Sequence, residues 1–186
     1  LLTGGHTQIY LLKNSTKVQL LGESVDDAIG EAFDKTAKLL GLGYPGGAEI
    51  ENRAKKGDEK NFILPMPVIK EENLNFYFSG MKTHIKLLIQ KNKVDDFFIN
   101  NLSASFKDTM CKILISKTKT ALKILKENNI KTNSISVVGG VSNNKYIRKE
   151  IENYVDKENI ELYYPIKEMM SDNASMIAWA CIKNYS

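Results

Sequence analysis

Two glycine pairs, one near each end of the chain, limit what this sequence can fold into. The first lies in the run Thr3-Gly4-Gly5-His6-Thr7, and the second in Val138-Gly139-Gly140-Val141-Ser142-Asn143-Asn144. Each pair follows a short apolar run, and glycine lets the main chain approach an anion closely because it has no Cβ. The two motifs therefore indicate an α/β protein that binds a nucleotide-like ligand. The first two residues are expected to be the end of a strand.

The periodicity around these motifs predicts alternating strands and helices. A hairpin is expected first, and then a helix that Asp26 and Asp27 cap and that Gly41 and Gly43 end. The expected strands cover 9–13, 17–21, 74–79, 134–138 and 160–164, and the further helices cover 48–56, 80–91, 95–128, 142–155 and 172–184. This order predicts an α/β fold in which one mixed β-sheet carries helices on both faces.

The two glycine pairs precede different kinds of element. Gly4-Gly5 precedes a strand, so it is not a Walker or Rossmann loop, whose glycines open a helix. A plain hairpin turn and a phosphate cradle are equal alternatives there. The second pair precedes a helix that Ser142 and Asn143 can cap, and the helix N-terminus favours an anion. Asn144 adds an amide that can both donate and accept a hydrogen bond.

An acidic segment comes after the hairpin. Asp27, Glu31 and Asp34 are three or four residues apart and would share one helix face, where carboxylates can bind ribose hydroxyls or a hydrated cation. An ordinary solvated helix face is the alternative. Gly30 lies inside the same helix, where glycine costs about 1 kcal/mol relative to alanine, so close packing or a ligand is expected beside it.

The bulk composition is that of an ordinary globular protein, with 42% hydrophobic and 26% charged residues. The net charge of +4 permits a nucleic-acid partner without requiring one. Cys111 and Cys181 share no ligand spacing and are expected to be buried, reduced thiols in a reducing compartment. No run approaches the length of a transmembrane helix, so no membrane association is expected.

Asp172 is the strongest candidate metal ligand. It opens the last predicted helix, where an N-cap role and a role as ligand of a divalent cation are both consistent with a carboxylate. Only His6 and His84 could supply imidazoles. These residues alone do not make a convincing transition-metal site.

Five segments together resemble the TsaD/Kae1/Qri7 family of tRNA N6-adenosine threonylcarbamoyltransferases. They occur in order at 3–8, 23–47, 76–83, 139–144 and 171–178, and they span nearly the whole chain. The resemblance implies an actin-like ATPase fold with a ribonuclease-H-like core in each of two lobes. Residues 1–186 would form the second, C-terminal lobe, with the N-terminal lobe absent from this chain.

The same resemblance implies a reaction and a set of site residues. The family transfers a threonylcarbamoyl group from threonylcarbamoyl-AMP to N6 of adenosine 37 in tRNAs that read ANN codons. Glu31 is a weaker candidate for the sugar hydroxyls, and Asp172 would bind one divalent iron or zinc ion per subunit. The substrate-binding residues implied are those for the phosphate and acyl group (Leu1, Leu2, Thr3, Gly4 and Gly5), the ribose region (Asp34 and Gly47) and the adenine end (Asn144).

The implied partners are tRNA, threonylcarbamoyl-AMP and accessory proteins of the same modification, namely a shorter paralogue and, in bacteria, a small ATPase. The implied location is the cytoplasm, or the mitochondrion for an organellar homologue. Thr3 and Ala48 replace the family's usual serine and proline. The family's metal-binding His-x-x-x-His pair is missing from this chain.

We therefore expect the isolated lobe to be inactive. The alternatives are an actin-like sugar or acyl kinase lobe and a non-catalytic nucleotide-binding lobe. The acidic block with its Tyr-Pro-Gly-Gly turn favours the transferase over the kinase.

Overall fold

A computed structural model describes residues 1–14, 17–67, 73–170 and 173–185, and these form a mixed α/β unit. The α/β class predicted from the sequence is confirmed. Within the described ranges the strands are β1 (Gln8–Leu12), β2 (Val18–Glu23), β3 (Ser134–Ser136) and β4 (Glu161–Tyr163). The α-helices there are α1 (Ile29–Leu39), α2 (Gly47–Ala54), α3 (Ser79–Lys91), α4 (Asp96–Glu127), α5 (Lys145–Lys157) and α6 (Ala174–Tyr185).

The strands pair as two small sheets rather than as one continuous mixed sheet. β1 and β2 are antiparallel, whereas β3 and β4 are parallel. Leu2 lies between the two sheets: it forms an antiparallel bridge with Thr7, and its N–H donates to the carbonyl of Val138 over 2.8 Å. The backbone of Leu2 thus connects the start of the hairpin to the segment after β3.

The strand predicted over 74–79 is reduced to a single parallel bridge between Phe76 and Ser24. The alternation behind the prediction is real, since Leu74, Phe76 and Phe78 are all buried. The carboxylate of Asp26 ends the extended segment, because it accepts hydrogen bonds from the backbone N–H groups of Phe78 and Ser79. Ser79 then begins α3.

The core is built around α4, whose N-terminus is capped by the Asp95 carboxylate accepting from Phe98 N–H over 3.0 Å. Its apolar side chains are buried along most of the helix, and α4 packs against both α2 and α5. The rings of Phe106 and Phe33 meet edge to face with centroids 5.0 Å apart. Such a pair adds about 0.5–1.5 kcal/mol beyond its area burial, and it fixes α1 to the core.

The last helix, α6, has a different environment. Its larger apolar side chains are exposed, with Trp179 61% and Ile177 68% accessible. The burial predicted for Cys111 is confirmed, but that predicted for Cys181 is wrong because Cys181 lies on this exposed helix. Within the described ranges, no helix has both the length and the apolar character needed to cross a bilayer.

Candidate functional site

A cavity of about 310 Å³ lies where the first turn, α1, α2 and the second glycine pair meet. Its lining combines carboxylates, amides and glycines with a few apolar side chains, so it can accommodate a ligand with both polar and flat apolar parts. The lining residues are Gly4, Gly30, Phe33, Asp34, Pro45, Gly47, Ala48, Glu51, Gly140, Val141, Asn143 and Asn144.

Two glycines bring the distant parts of the chain into contact. A Cβ on Gly30 would lie 2.7 Å from Gly4 Cα and from the Thr3 carbonyl oxygen. A Cβ on Gly139 would overlap the Leu2 carbonyl group, and Gly139 has a φ of +99°. The close packing expected beside Gly30 is thus confirmed, and it is made by the first glycine turn itself.

The first glycine pair forms a tight turn. Thr3 N–H donates to the His6 carbonyl over 2.8 Å, and Thr3 Oγ1 accepts from the N–H groups of His6 and Gly5 over 2.8 and 3.3 Å. The hairpin alternative therefore describes the backbone correctly. Gly4 nonetheless lines the cavity, so a turn and a ligand contact coexist here.

Two residues at the cavity wall have backbone N–H groups without an acceptor among the described residues. Within the described ranges, the N–H groups of Gly4 and Gly140 have no protein acceptor, although both residues line the cavity. The N-terminus of α2 also lies at the wall, since Gly47 and Ala48 are its first residues. Free N–H groups and the positive end of a helix dipole both favour an anion.

Two carboxylates supply acceptors. Asp34 Oδ1 accepts from the N–H of Gly46 over 2.7 Å, which fixes the side chain at the cavity wall. Glu51 Oε1 accepts from the N–H of Lys145 over 3.1 Å, which joins α2 to the start of α5. A carboxylate accepts readily from sugar hydroxyls, so these side chains suit the ribose part of a nucleotide.

Asn144, rather than Ser142 or Asn143, caps α5. Its Oδ1 accepts from the N–H groups of Tyr146 and Ile147, each over 3.1 Å. Ser142 is buried and its hydroxyl donates to the Gly139 carbonyl over 2.6 Å. The amide oxygen of Asn144 therefore has a structural role, whereas its NH₂ group has no acceptor in the part of the chain that the structure describes and can donate to a ligand.

The acidic face predicted on α1 is divided between two tasks. Asp34 lines the cavity, whereas Lys35 Nζ lies 2.6 Å from Asp27 and 2.7 Å from Glu31 in a surface ion-pair cluster. The hydrogen bond from Lys35 lowers the pKa of Glu31. The caps predicted at Asp26 and Asp27 are also wrong, because Thr7 Oγ1 accepts from Ile29 N–H at the start of α1.

Half of the predicted substrate-binding residues line the cavity, namely Gly4, Asp34, Gly47 and Asn144. Leu1, Leu2, Thr3 and Gly5 are not among the lining residues, and Leu2 is buried in the core. Sequence reasoning missed Glu51. Its position four residues after Gly47, on the same face of α2, is the signal that could have identified it.

The predicted metal ligand Asp172 lies outside the described residues. Within the described ranges, no three His, Cys, Asp or Glu side chains are grouped as a metal site would require. His6 belongs to the exposed first turn and His84 to α3. The described residues therefore do not form a metal site by themselves.

The cavity and its glycine turns belong to a mixed α/β unit, and comparison with known proteins identifies the family of this unit. Residues 1–179 match the family described as TsaD, tRNA N6-adenosine threonylcarbamoyltransferase. The chain belongs to this family.

Three relatives carry that same name. The protein of Thermosipho africanus is 43% identical over 185 residues, that of Rickettsia rickettsii strain Sheila Smith 41% over 189, and that of Wolbachia pipientis wMel 39% over 189. Each alignment covers 100% of this chain but only 54%, 55% and 56%, respectively, of the relative. The chain thus spans about half the length of the curated relatives it matches.

Proposed function

We propose that this chain forms the adenylate-binding part of an enzyme that transfers a threonylcarbamoyl group from threonylcarbamoyl-AMP to N6 of adenosine 37 in tRNAs reading ANN codons. The family match and the shared name of the relatives support the reaction class. The same match favours the transferase over the sugar or acyl kinase alternative. The proposal rests on one observation. The same cavity is lined by Gly4 and Gly140, whose N–H groups have no acceptor among the described residues, and by Asp34, whose carboxylate can accept hydrogen bonds.

These groups match the parts of an adenylate. The N–H groups of Gly4 and Gly140 would donate to the phosphate, and the N-terminus of α2 would add its favourable dipole. Asp34 and Glu51 would accept from the ribose hydroxyls. Phe33 and Val141 supply apolar surface for the base, and the NH₂ of Asn144, which has no acceptor among the described residues, can donate to a ring nitrogen.

In the reaction, the N6 amine attacks the carbamoyl carbon and loses a proton, the bond from that carbon to the AMP phosphate oxygen breaks, and AMP leaves. Negative charge grows on the phosphate oxygen as the bond breaks. Donors already positioned at Gly4 and Gly140 would stabilise that charge without rearrangement. The role of this chain is therefore to bind the adenylate and stabilise the leaving group.

The finer features of the family are part of the same proposal. We infer a lobe of an actin-like fold that acts in the cytoplasm with a shorter paralogue and a small ATPase. Asp172 would supply one ligand of an iron or zinc ion whose other ligands lie outside the described residues. Elemental analysis of an Asp172→Ala variant of the full-length protein tests that role, and unchanged metal content would contradict it.

The adenylate site is tested with the matched pair Asp34→Asn and Glu31→Gln in the full-length protein. Both remove one negative charge from α1, but only Asp34 lines the cavity. Asparagine keeps the oxygen that accepts from Gly46, so the local fold is retained. Hydrogen bonds to charged groups contribute about 1.5–3 kcal/mol, which corresponds to roughly 10- to 150-fold in affinity.

We expect Asp34→Asn to weaken AMP and threonylcarbamoyl-AMP binding at least tenfold by calorimetry, and Glu31→Gln to change it less than twofold. If both variants bound AMP and threonylcarbamoyl-AMP as tightly as the unmodified protein, Asp34 would not be part of the adenylate site. AMP binding without threonylcarbamoyl transfer by the full-length protein, assayed with tRNA and the helper proteins, would support a non-catalytic nucleotide-binding role instead.

A further inference from the structure

Residues 109–126 and 128–149 carry basic but no acidic residues, and so does one further segment, residues 79–94, which contains α3 and the turn after it. The segment holds four lysines and no Asp or Glu, and the whole chain has a net charge of +4. The remainder of the chain therefore holds as many acidic as basic residues. The four lysines, which we call the α3 lysines, are Lys82, Lys86, Lys91 and Lys93.

The α3 lysines are free to meet a partner. All four are exposed, and within the described ranges none of their ammonium groups forms an ion pair with the protein. Met81 and Ile85 are buried and hold α3 against the core, and Lys82 and Lys86 follow them at about 100° around the helix, so the lysines lie beside the packed face. Lys82 and Lys86 are one helical turn apart, so their ammonium groups can project from the same face.

Most lysines of α4, in contrast, interact with other groups of the protein or are buried. Lys112 pairs with Asp108 over 2.7 Å, and Lys123 lies 3.9 Å from Glu127. Lys119 lies over the ring of Tyr154, with its Nζ 5.2 Å from the centroid. Lys117 is buried. The lysines of α4 are thus largely engaged within the protein, whereas those of α3 are not.

The α3 helix is fixed to the wall of the adenylate cavity. The Asp26 carboxylate accepts from Phe78 N–H over 2.7 Å and from the Ser79 hydroxyl over 2.8 Å, which holds the first residue of α3. α3 also packs against α1, and α1 carries Gly30 and Asp34 at the cavity. A polyanion on α3 would therefore be held at a constant position relative to the adenylate.

We propose that the α3 lysines bind the phosphate backbone of the tRNA substrate and position it relative to the cavity. This inference rests on the proposed function, which supplies the polyanion. Exposed ammonium groups suit a phosphate backbone because they act as point charges that neutralise phosphates and release counterions. Such contacts position the nucleic acid without reading its sequence.

The experiment compares Lys82→Gln/Lys86→Gln with Lys126→Gln/Lys131→Gln in the full-length protein. Each double variant removes two exposed positive charges, and the second pair lies at the far end of α4 and in the loop after it. The probe is an unmodified tRNA that reads ANN codons, and its affinity is measured by anisotropy at several salt concentrations. Binding of AMP is measured in parallel by calorimetry.

We expect the Lys82/Lys86 variant to bind tRNA several-fold more weakly and the negative slope of log K against log salt to decrease in magnitude by about 1.4–1.8, since each phosphate contact contributes roughly 0.7–0.9. The Lys126/Lys131 variant should match the unmodified protein. Both should retain full AMP affinity. A second variant, Lys91→Gln/Lys93→Gln, should also decrease the magnitude of the slope.

Unchanged tRNA affinity and salt slope in both α3 variants would overturn the α3 surface while leaving the adenylate site intact. An equal loss in the Lys126/Lys131 variant would also overturn it, because general charge rather than α3 would then be responsible. If instead the proposed function is wrong, the Asp34→Asn variant will bind the adenylate as tightly as the unmodified protein does.

Discussion

Gly30 in α1 packs directly against Gly4 in the first turn, and the N–H of Gly30 donates to the Thr3 carbonyl over 3.2 Å. This contact sets the distance between the N–H of Gly4 and the carboxylate of Asp34, which lies one turn after Gly30 on α1. A glycine that looks costly inside a helix is thus the residue that allows the cavity wall to close.

Gly30→Ala should therefore disturb both fold and site. Its Cβ would meet backbone atoms at 2.7 Å, which cannot move as a flexible side chain could. Overpacking of this kind costs about 1–3 kcal/mol, and displacement of Gly4 should weaken AMP binding. Gly80→Ala is the control, because a Cβ on Gly80 meets nothing within 4 Å. Chemical denaturation should show a loss for Gly30→Ala and little change, or a small gain, for Gly80→Ala.

Asn144 should show two separable roles. Asn144→Asp keeps the oxygen that caps α5 but removes the NH₂ donor, so stability should change little while affinity for AMP falls. Asn144→Ala removes both, and loss of the cap should cost about 1 kcal/mol in addition. Thermal unfolding and calorimetry on both variants distinguish these roles. Equal AMP affinity for Asn144→Asp and the unmodified protein would limit Asn144 to capping.

The two cysteines should differ sharply in reactivity. Burial raises the pKa of the Cys111 thiol to about 12 and hides it in the core, whereas Cys181 is exposed on α6. The thiolate is the reactive form, so a disulfide reagent at pH 8 should modify one thiol quickly and the other only on unfolding. A Cys181→Ser variant should lose the fast phase. Two fast thiols would contradict the packing around α4.

Lys117 should make stability depend on alkaline pH. Burial lowers its pKa from 10.5 to about 8, and its Nζ donates to the Asn73 carbonyl. Between about pH 8 and 10.5 the unfolded chain retains a proton that the folded chain releases. The free energy of unfolding should therefore increase as the pH rises through this window, because the folded chain no longer carries the buried charge of Lys117. Below this window the full cost of that charge is present.

Lys117→Met provides the comparison, because methionine fills a similar volume without a titratable group. The other titrating groups are common to both proteins, so the difference in unfolding free energy between them isolates Lys117. That difference should shift in favour of the unmodified protein from about pH 7.5 to about pH 10. A difference independent of pH would show that Lys117 keeps its ordinary pKa.

How well the sequence predicted the structure depended on whether the deciding interaction was local. The long helix α4 was predicted within a residue at each end, because its Asp95 cap and apolar spacing are both local. The strand over 74–79 failed because a distant side chain, Asp26, intercepts its final N–H groups. Ser142 was predicted as a cap, but its hydroxyl turns back to Gly139 instead.

In the candidate site too, the residues that were missed or not separated depend on contacts between distant parts of the chain. Motif resemblance identified Gly4, Asp34, Gly47 and Asn144, all of which line the cavity. The resemblance ranked Glu31 below Asp34, but helical spacing alone could not separate them, because both lie on α1 and the ion pair with Lys35 that holds Glu31 away is visible only in the structure. Glu51 was missed because it reaches the cavity wall only when α2 packs beside the start of α5, where Glu51 accepts from the N–H of Lys145.

The hydrogen bond between Leu2 and Val138 has a consequence for biosynthesis. The wall at Gly4 and Gly30 is synthesised before α4, whereas its counterpart at Gly139 and Gly140 leaves the ribosome only after α4 has been completed. A nascent chain that ends before β3 contains the residues of the hairpin and α1 but not the second glycine pair, so its cavity is incomplete. The proposed adenylate binding would therefore be acquired abruptly during synthesis, and an adenylate could stabilise only chains that have already passed residue 144.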